Sequence, residues 1–280
     1  MSDPNASAAV ETRAMVSLTF DDALDVHLDV AMPVLERSGL RGTFYVNVGS
    51  DRFAARHSEW AAAAGKGHEL GNHTIFHPGV STKSWVTEGI ALEGYTLDRM
   101  RREIVVANQI LTMLDGRSER SFAFPCSNPW LGHTGWPRRM LTRMGLHRTR
   151  LMGWVDRHDL DVGSKLIDYT PLARELFFAA RCGGVDVAGL PVKPPDRHRV
   201  RAVSGDGLDF AALKAAVHEA AARKAWLVLV FHGVGGGHHL SCDLDAFEQL
   251  AGHLATDRRV EVVTFLDGAK RCWPQATRDD

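Results

Sequence analysis

The sequence lacks the cysteine pairs, the long apolar runs and the signal peptide that mark several classes of protein. Its four cysteines lie far apart with no C-x-x-C pair, so we expect free thiols and neither a thiolate metal site nor a disulfide framework. The longest strongly apolar run, Trp226–Phe231, is too short to cross a membrane. Residues 1–13 lack the apolar core of a signal peptide. The sequence as given therefore predicts a cytoplasmic protein without a membrane segment, or a secreted one if a signal has been removed.

Neither sign of charge is in excess. Lys and Arg number 33 and Asp and Glu number 34, which gives a formal net charge of -1. Proteins that bind nucleic acid or anionic membranes do so through positive charge, so we expect neither partner. The glycine-rich residues 233–237 lack the Gly-Lys-Ser/Thr ending of a phosphate-binding loop, which argues against nucleotide binding.

The length and the hydrophobic content, 280 residues and 45%, suit one large domain. We predict a disordered lead-in at residues 1–14 and a single domain at residues 15–275.

Strand-like and helix-like segments alternate along this domain. Residues 145–200 show no clear pattern. The alternation predicts an α/β fold with parallel strands and right-handed crossovers, and the apolar strands indicate a sheet covered on both faces or closed into a barrel. The predicted strands are residues 15–20, 42–48, 68–73, 121–124, 227–231 and 260–264. The predicted helices lie near residues 30–39, 61–65, 97–114, 210–221 and 247–254.

Polar residues follow the first and third predicted strands. Asp21 and Asp22 come after the first, His73 ends the third, and His77 lies four residues further on. One carboxylate with two histidines at this spacing can supply three ligands to a divalent metal and leave a coordination position open, as catalytic sites do. The second carboxylate is then free to act as a general base.

Two further strands end in residues of the same kind. Pro125 follows residues 121–124, and His232 follows residues 227–231. An Asp-Asp pair after a strand is also typical of a helix start, and a single buried histidine is often structural. The carboxyl ends of strands in an α/β barrel share one rim, however, so we expect all of these groups to meet there.

Four segments resemble the motifs of the polysaccharide deacetylases of the NodB-like type, carbohydrate esterase family 4. The segments are T-F-D-D-A at 19–23, N-H-T-I-F-H-P at 72–78, F-A-F-P-C at 122–126 and L-V-L-V-F-H-G at 227–233. They occur in the family's order. The resemblance implies a distorted (β/α) barrel of about seven parallel strands. It also implies removal of acetyl groups from an N-acetylated or O-acetylated carbohydrate.

The resemblance implies a role for each of several residues. It makes Asp21 the catalytic base and His232 the general acid. It makes Asp22, His73 and His77 the ligands of one divalent metal ion, with Zn²⁺ the first expectation and Co²⁺, Ni²⁺ or Mn²⁺ the alternatives.

The resemblance also places the substrate. The backbone amide of Cys126, after Pro125, is expected to hold the oxyanion. Trp130, just beyond, is a candidate for stacking on a sugar ring, with core packing equally expected.

Two family positions differ in this chain. The family has an arginine that pairs with the catalytic aspartate two residues before the proline, where this chain has Ala123. Arg181 is one candidate to supply that charge. The aspartate that orients the catalytic histidine is not recognisable, and Asp196, Asp206 and Asp209 remain open.

Two other functions fit the sequence. One is a cytoplasmic amidohydrolase or deformylase for a small N-acyl compound, which the lack of an export signal favours. The other is a non-catalytic carbohydrate-binding barrel, which Ala123 suggests. The expected partner is therefore an acetylated carbohydrate or a small N-acyl substrate, and the sequence leaves the oligomeric state open.

Overall fold

A parallel β-sheet forms the centre of the computed structural model, which describes residues 13–146, 149–158 and 164–274. The strands are β1 (Ala14–Asp21), β2 (Thr43–Val46), β3 (Glu69–Asn72), β4 (Ser121–Ala123), β5 (Trp130–His133), β6 (Lys165–Asp168), β7 (Ala179–Arg181), β8 (Val203–Ser204), β9 (Trp226–Phe231), β10 (Gly233–Val234), β11 (Ser241–Cys242) and β12 (Val260–Val262). The helices are α1 (Met32–Arg37), α2 (Asp51–Gly65), α3 (Leu97–Asp115), α4 (Trp136–Arg143), α5 (Arg150–Arg157), α6 (Thr170–Leu176), α7 (Phe210–Arg223), α8 (Leu244–Thr256) and α9 (Phe265–Cys272).

The main sheet runs in the order β7-β4-β3-β2-β1-β9-β8, and every neighbouring pair in it is parallel. β12 pairs with the first residues of β1, and β2 pairs with the last. The two ends of the sheet approach each other, because Arg181 on β7 forms a parallel bridge with Val200, just before β8. The predicted distorted (β/α) barrel is therefore confirmed.

Side chains alternate between the two faces of each central strand. On β1, Leu18 and Phe20 belong to the apolar cluster that packs under α1, α7 and α8. On β9, Val228 and Val230 belong to a second cluster inside the barrel, together with Tyr45 of β2. Burial on both faces explains why these strands read as continuous apolar runs in the sequence.

The longest helix, α3, begins and ends as its sequence predicts. The side chain of Thr96 accepts a hydrogen bond from the backbone N–H of Arg99, which caps the first turn. Gly116 ends the helix in the left-handed region, with φ of 72°. The face that repeats every three or four residues is buried against the sheet. Its buried apolar residues are Met100, Ile104, Ala107 and Leu111.

Some elements differ from the sequence prediction. The helix expected near residues 30–39 begins as a π-helical turn, His27–Ala31, and continues as α1. The unpatterned residues 145–200 contain the edge strand β7 and also β6, which pairs antiparallel with β5 in a separate two-stranded sheet. Of the predicted disordered lead-in, residues 1–12 lie outside the described residues, and Ala14 already belongs to β1. No helix in the described part of the chain combines the length and the apolar character that a membrane span needs.

Candidate metal centre and active site

The strand alternation aims a set of polar side chains into the carboxyl end of the barrel. On β1, Asp21 has the same parity as the buried Thr19 and is the last residue of the strand. On β9, Val230 faces the interior, so His232, two residues on, faces it too. Arg181 ends β7 on the inner face. The side chains that follow from different strands thus converge at one rim.

The backbone beside this rim is strained at several residues, three of which lie in the segments that carry the metal-facing side chains. Asp22, Thr74 and His77 have φ angles of 81°, 67° and 51°. Non-glycine residues rarely adopt such angles, and for a β-branched threonine the conformation is an outlier. Strain of this kind is held by its surroundings and concentrates where function needs an unusual side-chain direction.

Asn72 holds the strained loop after β3. Its side-chain amide donates to the backbone oxygen of Ile104 (3.0 Å) and to Asn108 (2.7 Å), which fixes it to α3. Its side-chain oxygen accepts from the backbone N–H of Thr74 at 2.7 Å. The hydroxyl of Thr74 in turn accepts from the backbone N–H of His77 at 3.0 Å. A chain of hydrogen bonds therefore runs from α3 to the second histidine.

Asp22, His73 and His77 present three ligand atoms to one point. The Nε2 atoms of His77 and His73 lie 3.3 Å and 3.6 Å from Oδ1 of Asp22, and one ligand atom from each residue lies within 4.8 Å of the others. Oδ1 of Asp22 and Nε2 of His73 are buried and have no hydrogen-bond partner among the described residues. Since unpaired buried polar atoms are costly, this donor set fits a divalent cation shared between the three side chains.

His73 is oriented and neutral. Its Nδ1–H donates to the backbone oxygen of Ala123 at 2.8 Å, which leaves the Nε2 lone pair directed at Asp22. Burial lowers the pKa of His73 to about 4, despite the opposing charge of Asp21. At neutral pH the imidazole is therefore in the uncharged form that binds metals.

Asp21 forms a buried ion pair with Arg181. The Nη2 group of Arg181 donates to both carboxylate oxygens at 2.5 Å, and the arginine is only 2% exposed. Burial alone would raise the pKa of Asp21, but the charge of Arg181, helped by His73 and His232, lowers it to about 2. Asp21 is therefore ionised at neutral pH.

The arginine comes from the strand next to the expected one. Arg181 on β7 is the register partner of Ala123 on β4, and both face the barrel interior. A small side chain at Ala123 leaves the space that the guanidinium occupies. The positive charge that the family motif places before the proline is thus supplied here by Arg181, which the sequence analysis named as one candidate.

Asp206 orients His232. Its Oδ2 accepts from Nδ1 of His232 at 2.7 Å, and its Oδ1 accepts from the backbone N–H of the same residue at 2.9 Å. Burial alone would lower the pKa of His232, but the hydrogen bond to Asp206 and the charge of Asp21 raise it above its ordinary value. The other two candidate aspartates have different partners: Asp196 pairs with Arg174, and Asp209 caps α7.

His27, from the π-helical turn, fixes the backbone of His232. The backbone N–H of Leu24 donates to Nδ1 of His27 at 3.2 Å, so Nε2 carries the proton and donates to the backbone oxygen of His232 at 2.7 Å. His27 is fully buried, and burial lowers its pKa to about 4. It acts as a neutral structural link between β1 and β9.

Residues 9–144, which contain both carboxylates and both metal-facing histidines, match the family model described as polysaccharide deacetylase. This stretch of the chain is therefore similar to the polysaccharide deacetylase family. The match includes three of the four motif segments on which the resemblance was based, and the resemblance is confirmed. No protein with curated annotation matches the sequence.

Two of the solved structures that resemble this chain show a similar fold. A candidate polysaccharide deacetylase from Mycobacterium smegmatis has a TM-score of 0.60 at 13% identity, over 97% of this chain and 92% of that one. The Xyl-CE4 domain of a multidomain xylanase from the hindgut metagenome of Trinervitermes trinervoides has a TM-score of 0.50 at 13% identity, over 92% of this chain and 90% of that one. At such identities the likeness establishes the fold alone.

The residues predicted to hold the oxyanion or the substrate lie at or beyond the end of β4. Pro125 is buried, and Cys126 is exposed with φ of 52° in the turn that follows the strand. Trp130 is 40% exposed on the separate two-stranded antiparallel sheet of β5 and β6, where it pairs with Asp168 and lies under Arg199. These contacts do not join Trp130 to the metal-ligand group, and its role stays a prediction.

Four residues at or beside the site carry no motif of their own. Arg181 and Asp206 lie on or after β7 and β8, which have three and two residues and leave no periodic signal. His27 has no sequence signal at all. Trp85, with its ring centroid 5.3 Å from that of His77 and 43% of its surface exposed, also lies outside the motifs.

Proposed function

We propose that this protein is a metal-dependent hydrolase that removes acetyl groups from a carbohydrate, as an amide or an ester. One observation carries the proposal. Two buried, unpaired ligand atoms, on Asp22 and His73, converge with His77 on the rim where Asp21 and His232 also lie. This arrangement offers a cation site with a proton acceptor and a proton donor around it.

Asp22, His73 and His77 would hold the cation. A divalent ion bound there supplies a Lewis acid for an acetyl carbonyl and makes a bound water more acidic. Three protein ligands leave room for substrate and water, as in catalytic rather than structural zinc sites.

Asp21 would accept the proton of the attacking water. Because Arg181 holds its pKa near 2, it is always ionised near neutral pH but is only a weak base. Such a base removes a proton from an acidified water and not from bulk water. Arg181 also keeps the carboxylate from rotating, since it binds both oxygens.

His232 would give a proton to the leaving group. Its Nδ1 is committed to Asp206, so Nε2 is the atom that can donate. The raised pKa increases the protonated fraction near neutral pH. This donation matters most for an amide, because an amine leaves poorly without a proton.

A carbohydrate is the substrate class that the surroundings favour. Phe76 and Trp85, 51% and 43% exposed, flank His77 and offer aromatic surface to a sugar ring. The similar Xyl-CE4 domain belongs to a xylanase, and the similar mycobacterial protein is a candidate polysaccharide deacetylase. The ion pair of Asp21 with Arg181 weighs against a non-catalytic barrel, because Arg181 supplies the positive charge that the family has at the position of Ala123.

Acetate release tests the proposal. Metal-stripped protein is supplied in turn with Zn²⁺, Co²⁺, Ni²⁺ or Mn²⁺ and assayed on acetylated xylan, chitin and peptidoglycan fragments and on small N-acyl amides. We expect turnover of a carbohydrate that requires metal and falls by at least about 10²-fold in Asp22→Ala and His73→Ala. The exposed His57→Gln serves as the control and should retain activity.

Three results would contradict the proposal. Full activity of Asp22→Ala and His73→Ala in stripped protein would remove the metal-dependent mechanism. Turnover of small amides alone would make the protein an amidohydrolase. Glycan binding without turnover under every metal would make it a binding module.

A further inference from the structure

A second group of metal-binding side chains lies between α7 and α8. His218 comes from α7, His253 from the last turn of α8, and Asp257 directly follows that helix. One ligand atom of each lies within 4.8 Å of the others. Nε2 of His253 is 3.4 Å from Oδ2 of Asp257, and the two imidazole ring centroids are 5.4 Å apart.

Both imidazoles carry an unpaired buried atom. Nε2 of His218 and Nε2 of His253 are buried and have no hydrogen-bond partner within the described residues. The same condition marks His73 in the candidate active site. An unpaired buried nitrogen is costly, and two of them beside one carboxylate are accommodated at once if they share a cation.

The third ligand is held in place. The guanidinium of Arg259 donates to the two carboxylate oxygens of Asp257 at 2.9 Å and 2.6 Å, and its backbone N–H donates at 3.0 Å. Phe210 packs edge-on against the ring of His253. Such outer contacts orient metal ligands in advance. The charges of Lys214 and Arg259 act on His253 and oppose a cation, so binding should be weaker than at the active site.

The group lies at the opposite end of the barrel from the active site. Asp257 comes just before β12, a strand parallel to β1, so it lies near the edge where the strands begin. Asp21 and His232 lie where the strands end. A metal here would connect α7 with the end of α8 and take no part in hydrolysis.

We propose that His218, His253 and Asp257 bind a second divalent ion of the zinc, nickel or copper class. Two imidazole nitrogens and one carboxylate suit these metals, whereas Ca²⁺ and Mg²⁺ prefer oxygen ligands. With three protein ligands the ion exchanges with solution, and it stabilises the folded protein by binding that state alone.

Zinc stoichiometry of the whole chain tests this site. Metal-stripped protein is titrated with Zn²⁺ by calorimetry, and the bound metal is counted by mass spectrometry. We expect two equivalents in the wild type and in His57→Gln, and one in His218→Gln and in His253→Gln. His73→Ala should also retain one equivalent, and its melting temperature should rise with Zn²⁺ until His218→Gln is added.

A folding defect does not obscure the result, because His218 is only partly buried and glutamine suits a helix. Cobalt absorption spectra of His73→Ala and of His73→Ala/His218→Gln provide a second readout, with a ligand-field band expected in the first alone. Equal zinc counts in the wild type and His218→Gln would overturn the second site. If His218→Gln bound no zinc at all, the result would instead count against metal binding at the catalytic site.

Discussion

Asp21 and His232 have their pKa values moved in opposite directions by their immediate partners. Arg181 lowers the pKa of Asp21 to about 2 against the effect of burial, and Asp206 raises that of His232 against the same effect. A permanent carboxylate and a protonated imidazole can therefore coexist near neutral pH. Two titratable groups whose surroundings separate their pKa values are the usual mark of an acid and base pair.

The substitution Asp206→Asn tests the partner of the acid. Without that carboxylate, burial dominates and the pKa of His232 falls. We expect the alkaline limb of kcat/KM against pH to move to lower pH, and the rate near neutral pH to fall by about 10²-fold. The pH profile of acetate release measures both.

Asp209→Asn is the matched control for this change. Asp209 caps α7 by accepting from the backbone N–H of Ala212, so its loss should affect stability by at most about 1 kcal/mol. The alkaline limb should stay where it is. An unchanged limb in Asp206→Asn would mean that Asp206 does not set the protonation of His232.

The residues that the sequence identifies share one property: each lies in a motif at the end of a strand with its own pattern. Asp21, His73 and His232 are found in this way. Arg181 is not found in this way, because its side chain reaches Asp21 from β7. Only the register of β7 with β4 reveals that it supplies the charge that is missing at Ala123. When a neighbouring strand supplies a functional charge in this way, the sequence carries no local signal of it.

At the scale of single elements, β3 and its loop deliver the histidines, and Asn72 connects that loop to α3. Asn72→Ala should leave the backbone N–H of Thr74 without its partner, at about 1–3 kcal/mol, and should remove the link to the backbone oxygen of Ile104, which keeps its helical hydrogen bond. The loop carrying His77 should loosen, and zinc affinity at the active site should fall by about 10- to 100-fold.

Urea unfolding and zinc titration of a His218→Gln background measure these two effects separately. Asn108→Ala is the control, because it removes one bond to Asn72 and keeps those to Ile104 and Thr74. Unchanged zinc affinity in Asn72→Ala would show that the loop is held by other contacts.

The packing of β3 against β2 gives a second prediction at this scale. A Cβ added to Gly71 would meet Cδ1 of Tyr45 without room, and Tyr45 is fully buried with Arg181 over its ring at 5.0 Å. Gly71→Ala should destabilise the protein by about 1–3 kcal/mol. Gly65→Ala, where a Cβ meets nothing within 4 Å, should not be destabilised in the same urea experiment. Equal midpoints for the two variants would contradict this account of the packing.

Elements with strong periodicity were predictable, and the short ones were not. The stripe of α3 and the apolar run of β9 define those elements within a residue or two. β7 and β8 are too short to show alternation, and they become strands only because the neighbouring sheet and Val200 supply partners. Tertiary context decides such segments.

At the scale of the whole molecule, the ion pair of Asp21 with Arg181 crosses the interior of the barrel. It joins β1, in the middle of the sheet, to β7 at one end, near the bridge to Val200 where the sheet closes. Both charged groups are largely buried, so each depends on the other. The pair should therefore link the pH dependence of folding to barrel closure.

In metal-free protein, Asp21 has a folded pKa of about 2, below its unfolded value. Its contribution, about 2 kcal/mol, should be complete above the unfolded pKa of about 4 and lost as pH falls through the folded value. In Arg181→Met, burial is opposed only by the weaker effects of His73 and His232, so the pKa of Asp21 should rise and the folded state should hold the proton more tightly. The stability of that variant should decline as pH rises above about 4, which is opposite to the contribution of Asp21 in wild type. At neutral pH it should lie about 3–5 kcal/mol below wild type.

Urea midpoints from pH 3 to pH 8 in the presence of a chelator measure this reversal. Buried His73 also titrates in this range in both proteins, so the difference between them reports on Asp21 together with its coupling to His73. Asp21→Asn/Arg181→Met removes both charges. Its stability relative to wild type should therefore not show the decline with rising pH that is expected for Arg181→Met. Parallel curves for wild type and Arg181→Met would mean that Arg181 does not set the ionisation of Asp21, and the charge replacing the one absent at Ala123 would have to come from another residue.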